Sequence, residues 1–210
     1  SSKAKGTTYE TILATKLRTY YGANPGFALE EKSKSSVGHE ADMIMSWNDK
    51  KVLWEGKWYK DAIPTKEVNK FLRDMHESPH ILVGVMMSRD SAITGKCERA
   101  DIQTEFDGNQ MMIYVSRADQ YGDTLYSMLP QLWKVHWESK REHHAKEDED
   151  RDKVIRIIDG LIASIAKRKL DWNVHKSRAN EMLKWMNDLI AEDEDRLKKA
   201  LTLLKSGNKE

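Results

Sequence analysis

Two nearly unbroken apolar runs constrain this chain more than any other feature: His80-Ile81-Leu82-Val83-Gly84-Val85-Met86-Met87 and Met111-Met112-Ile113-Tyr114-Val115. A strand with one wet face alternates apolar and polar residues, whereas a run that is apolar at every position suits a strand covered on both faces. Such strands need helices on both sides of their sheet, so the expected class is α/β, with a central mixed sheet flanked by helices. The first two thirds of the chain supplies the other elements. Tyr9, Ile12, Leu13, Leu17 and Tyr20 recur at spacings of three and four, which predicts a helix over 8–21 that Gly22 ends. A short strand begins near Phe27. Residues 41–47 alternate as a strand, 48–51 form a turn, and 52–59 return as the partner of a hairpin. Thr65 is expected to cap a helix with Val68, Phe71, Leu72 and Met75 on one face, broken by Ser78-Pro79. The polar stretch 88–110 reads as loop with a short helix. Leu125, Met128, Leu129 and Leu132 mark a helix running towards Trp137.

Composition changes near residue 139, and the remainder of the chain reads as almost pure helix, so a division into 1–138 and an all-helical extension 139–210 is expected. The charge run 139–153 reads as a solvated helix surface or linker, with His143-His144 inside it solvated too. Val154, Ile157, Ile158, Leu161, Ile162 and Ile165 form one helical stripe, and Met182, Met186, Leu189, Ile190, Leu197, Leu201 and Leu204 form a second. With a turn at 169–173 the two would make an antiparallel helical hairpin, although that stretch holds neither Gly nor Pro.

Several functional classes are excluded. Lys and Arg total 35 against 34 Asp and Glu, a net charge of +1, which rules out a basic footprint over the whole chain but leaves room for a local basic surface. The single cysteine, Cys97, excludes an intrachain disulfide and a multi-cysteine zinc site. No apolar run approaches the roughly 20 residues of a membrane span. No signal peptide opens the chain, which begins Ser1-Ser2 as a trimmed start would; a soluble, intracellular protein is expected. His76-Glu77-Ser78-Pro79-His80 has zinc-protease spacing, but that chemistry needs both histidines on one continuous helix and Pro79 forbids it. Gly95-Lys96 is followed by Cys97 rather than Ser or Thr, so it is no phosphate-binding loop.

The strongest chemical signal is acidic. Asp42 opens one strand of the hairpin and Glu55-Gly56-Lys57 lies in the next. An acid-x-Lys triplet alone is weak, since it recurs at 30–32, 49–51 and 138–140. Context separates the copies. Glu55 and Lys57 share one face of a strand otherwise built from Val52, Leu53, Trp54 and Trp58, and a carboxylate and an ammonium are costly to bury unless they pair or meet a metal. Trp54, Gly56 and Trp58 take the other face, which places the tryptophans in the core beneath the site. The antiparallel hairpin would bring Asp42 towards Glu55, close enough to hold one hard cation. Mg²⁺ suits such a site, because it takes oxygen ligands and needs only one or two carboxylates beside a phosphate oxygen. The metal would polarise the phosphate and help make hydroxide from bound water, and Lys57 would hold that water or stabilise developing charge. The competing reading is a plain Glu55–Lys57 salt bridge.

Asp42 on one strand and Glu55-Gly56-Lys57 on the next resembles the PD-(D/E)XK nuclease superfamily. The opening Lys5-Gly6-Thr7-Thr8-Tyr9-Glu10, followed by Ile12, Leu13, Leu17 and Gly22, is similar to the N-terminal helix of archaeal Holliday junction resolvases and Mrr-type restriction nucleases. Gly38-His39-Glu40-Ala41-Asp42, Trp54-Glu55-Gly56-Lys57-Trp58-Tyr59-Lys60 and Glu67-Val68-Asn69-Lys70-Phe71 follow in the family's order, over roughly residues 5–90. Ala41 stands where many members have Pro, and residues 139–210 have no counterpart. The resemblance implies a restriction-endonuclease-like core and a Mg²⁺-dependent DNA endonuclease, with Mn²⁺ as substitute. Asp42, Glu55 and Lys57 would be catalytic; Asp42, Glu55, Glu10 and the Gly56 carbonyl would be metal ligands. Glu10 reads equally as an exposed carboxylate near a helix N-terminus. Lys5, Lys60, Arg89 and Lys96 are candidate phosphate contacts, each also readable as an ordinary surface charge. Many nucleases of this type cut two strands with two sites, so a homodimer through the C-terminal helices is expected, with packing of those helices on their own domain as the alternative. The alternative is a catalytically weak DNA-binding or assembly module on the same fold.

Overall fold

A computed structural model of the chain describes residues 2–31, 43–97, 100–141 and 147–207, without the side chains of 2–8, 140–141, 147–151, 197 and 199–207. The order is α1 (Ser2–Tyr21), β1 (Ala28–Glu31), β2 (Met43–Trp47), β3 (Lys50–Lys57), α2 (Thr65–Glu77), β4 (Val83–Ser88), β5 (Ile102–Asp107), β6 (Gln110–Val115), a 3-10 turn (Ala118–Tyr121), α3 (Thr124–Arg141) and α4 (Glu147–Gly207). The chain divides into two units, Ser1–Ala166 and Lys167–Glu210.

The first unit is α/β, built on one six-stranded mixed sheet in the order β1-β2-β3-β4-β6-β5. β1, β2 and β3 form an antiparallel meander; β4 lies parallel to β3, β6 parallel to β4, and β5 closes the far edge antiparallel to β6. The continuous apolar runs are β4 and β6, central strands with every residue buried. One face is covered by α1 and α3, where Tyr9, Leu13 and Leu17 pack with Trp54, Val85, Ile113, Leu129 and Trp133. Ile158 and Ile165, from the part of α4 in this unit, belong to the same cluster. The other face is covered by α2, whose Val68, Phe71 and Met75 pack on Leu53, Met86 and Met112. Gly84 permits that approach: a Cβ there would stand 2.8 Å from Phe71 Cζ and 2.5 Å from Met75 Sδ.

Three expectations are corrected. The stretch 88–110 contains β5, which pairs with β6 from Ile102↔Val115 to Asp107↔Gln110. Its side chains are mostly half-buried and polar, so it lacks the apolar signature of a strand. Thr65 is the first helical residue of α2 rather than its cap; the cap position is Pro64, without a side-chain hydrogen bond. The turn expected at 169–173 is absent, because α4 runs through it as one helix from Glu147 to Gly207. Leu170, Asp171 and Trp172 are all compatible with helix, and without Gly or Pro nothing breaks the backbone hydrogen-bond ladder. Among the described residues no helix is long and apolar enough to cross a membrane.

Candidate active site

Strand parity sets the site. Trp54 and Gly56 face α1: Trp54 is fully buried in the core, and a Cβ on Gly56 would stand 2.9 Å from Leu13 Cδ2. Glu55 and Lys57 therefore face α2. Glu55 has no exposed surface, which demands compensation for its charge. Lys57 Nζ lies 2.7 Å from Glu55 Oε1, and Lys70 Nζ, reaching over from α2, lies 2.9 Å from the same oxygen. Burial works to raise the Glu55 carboxyl, but the two ammoniums outweigh it and hold the group below the usual carboxylate range.

Both lysines touch second carboxylates. Lys57 Nζ is 3.9 Å from Glu67 Oε2, and Lys70 Nζ is 3.6 Å from Asp74 Oδ2 one helical turn on. Asp74 is buried, and neither of its oxygens has a hydrogen-bond partner among the described residues. Burial pushes its carboxyl up, against the pull of Lys70. Burial and the Glu67 carboxylate likewise raise the Tyr59 phenol. β3 and α2 thus enclose a polar cluster of Glu55, Lys57, Glu67, Lys70 and Asp74.

Lys70, Glu67 and Asp74 are site residues that the strand motif does not point to. A signal for them exists: the three recur at spacings of three and four on α2, beside the buried Val68, Phe71 and Met75. Asp42, the expected partner of Glu55, lies outside the described residues. Met43, which follows it in the chain, pairs with Trp54, the neighbour of Glu55. Glu10 is half-buried on α1, the helix whose Tyr9 and Leu13 cover the opposite face of the sheet. The side chain of Lys5 lies outside the described residues. Lys60 is exposed. Arg89 stacks on the Trp58 ring at 4.0 Å and donates to Asp119 at 2.8 Å, while Trp58 Nε1 donates to Asp90 at 3.1 Å. Lys96 donates to Glu105 at 2.6 Å and stands 4.8 Å over the Tyr114 ring. His76 lies in the last turn of the helix that ends before Pro79 and meets Asp107 at 2.7 Å.

Among the described residues no three His, Cys, Asp or Glu side chains converge as a metal-holding group. What the cluster does supply is one buried, ionised carboxylate with hard oxygen donors, held against two lysine ammoniums. A small divalent ion taking that carboxylate as a ligand would have to displace ammonium from its Oε1. No protein-family model matches the chain, and no curated protein matches it.

Proposed function

We propose that the chain is a divalent-cation-dependent DNA endonuclease with a restriction-endonuclease-like core. The observation that carries this reading is the fully buried, charged Glu55 on the central strand β3, with Lys57 on the same strand face 2.7 Å away. The order of helix, antiparallel meander, helix and parallel strand supports it, as does the motif order in the sequence. Glu55 and Asp42 would hold the ion, with the Gly56 carbonyl as a further oxygen donor; Glu10, on the helix over the other face of the sheet, is not among the groups this arrangement brings to Glu55. A bound Mg²⁺ supplies polarisation of the scissile phosphate and a water more readily deprotonated. Glu55 fixes the direction of the Lys57 ammonium, which is thereby positioned to hold the attacking water or to stabilise charge developing on the phosphate. Lys70 balances the Glu55 charge from 2.9 Å, with Asp74 3.6 Å from the same ammonium, and would have to yield Glu55 to a bound ion.

A second reading, a DNA-binding or assembly module with weak or no catalysis, is favoured by one observation: Glu55 already has two ammonium partners, as a purely structural ion-pair cluster would. Thermal unfolding with and without Mn²⁺ separates the two. The nuclease reading predicts a higher melting temperature with Mn²⁺, and loss of that shift in both Asp42→Asn and Glu55→Gln. A shift that survives both substitutions would place the ion elsewhere, and no shift at all would favour the module.

A further inference from the structure

Charge on α2 is sorted by depth. The helix carries three cations, Lys66, Lys70 and Arg73, against three acids, Glu67, Asp74 and Glu77. At about 100° per residue, Lys66, Lys70 and Arg73 fall within an arc of about 60°, opposite the buried Val68, Phe71 and Met75. Glu67 and Asp74 lie round the flank towards β3, where Glu67 approaches the Lys57 ammonium and Asp74 is buried. Glu77 shares the outer arc one turn past Arg73 and ends it. From 66 to 73, the outer face of α2 is therefore basic.

Two of these cations also lack close compensation. Arg89 and Lys96, which the sequence marks as phosphate contacts, already meet Asp119 and Glu105. Lys66 is exposed and makes no hydrogen bond or ion pair among the described residues. Arg73, with its side chain 42% exposed, approaches Asp74 from Nε at 3.9 Å, beyond hydrogen-bond distance. Asn69 is exposed between them and adds an amide donor.

Position identifies the partner. Lys70 stands in the middle of the row, one turn from Lys66 and one from Arg73, with Nζ 2.9 Å from Glu55. Lys66 to Arg73 spans about 10 Å at about 1.5 Å per residue, and successive phosphates of one strand rise by about 3.4 Å, so the row covers about three of them. A polyanion with evenly repeated charges, its middle laid over Glu55 and Lys57, matches this row. We propose that the outer face of α2 docks the phosphate backbone of the strand to be cut, with Lys66 and Arg73 on the phosphates either side of the scissile one. The choice of nucleic acid as the partner rests on the nuclease reading. Contacts of this kind hold the strand in register over Lys57 and carry no base specificity.

The test uses the full chain and a fluorescein-labelled DNA duplex, with affinity read by anisotropy in EDTA so that nothing is cleaved. Lys66→Glu and Arg73→Glu should each weaken binding about tenfold, and the two together about a hundredfold. Each should lower the salt slope by about one. Lys176→Glu, the same change of charge in the second unit, should leave affinity unchanged. Circular dichroism checks that each variant is folded, and Lys66→Gln and Arg73→Gln should weaken binding in the same direction by less. Affinity unmoved by both reversals, or lowered equally by Lys176→Glu, would overturn the proposal, and so would equally tight binding of polyglutamate. A chain that binds through α2 but cleaves nothing in Mg²⁺ keeps this face and loses the nuclease reading. One that cleaves, with affinity unmoved by the reversals, keeps that reading and loses the face.

Discussion

A carboxylate with no exposed surface keeps its charge only where cations reach it, and Glu55 has two. Their effect on stability follows from linkage. The folded group titrates below its unfolded value, so its contribution is present above the unfolded pKa and is lost as pH falls through the folded one. Glu55→Gln should therefore destabilise the ion-free protein by about 1.5–3 kcal/mol at neutral pH, a difference that shrinks below about pH 4. Asp74 has the opposite sign. Its carboxyl is raised by burial, so the stability it gives at low pH is lost as pH rises through the folded pKa. Asp74→Asn should leave the protein as stable or raise stability by about 1 kcal/mol at neutral pH, with the gain vanishing in acid. Denaturant melts across a pH series measure both. Lys57 and Lys70 are distinguished by kinetics. Lys57→Ala should lower turnover at saturating DNA, by about a hundredfold or more, with little change in affinity. Lys70→Met should tighten Mn²⁺ binding about tenfold, since it removes the cation that competes for Glu55. The partnership of Glu55 and Lys57 is legible in the sequence because parity on a strand is a two-residue rule. Lys70 is not, because reaching Glu55 from α2 depends on how helix and sheet pack.

Helices and strands are legible in proportion to how much apolar surface they bury. β4 and β6, buried at every position, are visible as unbroken runs, and α2 as a stripe. β5 is not, because an edge strand buries little and satisfies its polar side chains locally: Gln103 Oε1 accepts from the Cys97 N–H, and Glu105 takes Lys96. The two-residue loop between Asp107 and Gln110 is Gly108-Asn109, and its hairpin signal is the glycine at the first position, with φ 53°. The long α4 reads as a hairpin in the sequence because an apolar stripe records only that a helix has a wetted and an unwetted side, not where it ends. Close approach of elements gives a further expectation. Gly84→Ala would drive a methyl into Phe71 and Met75 and should cost about 1–3 kcal/mol, read as a lower denaturation midpoint.

At the scale of the whole molecule, a net charge of +1 means that any DNA-binding face is local and offset by acid elsewhere. Affinity should still fall steeply with salt through release of phosphate counterions, and a flat response would argue against phosphate-dominated binding. The acidic run 192–195 is unsuited to that face. The central claim is that Glu55 belongs to a cation-dependent cleavage centre, and cleavage of plasmid and oligonucleotide DNA in Mg²⁺ tests it most directly. The account predicts cleavage by the natural chain that EDTA abolishes, and none by Asp42→Asn or Glu55→Gln proteins that remain folded. Undiminished cleavage by both variants would contradict it.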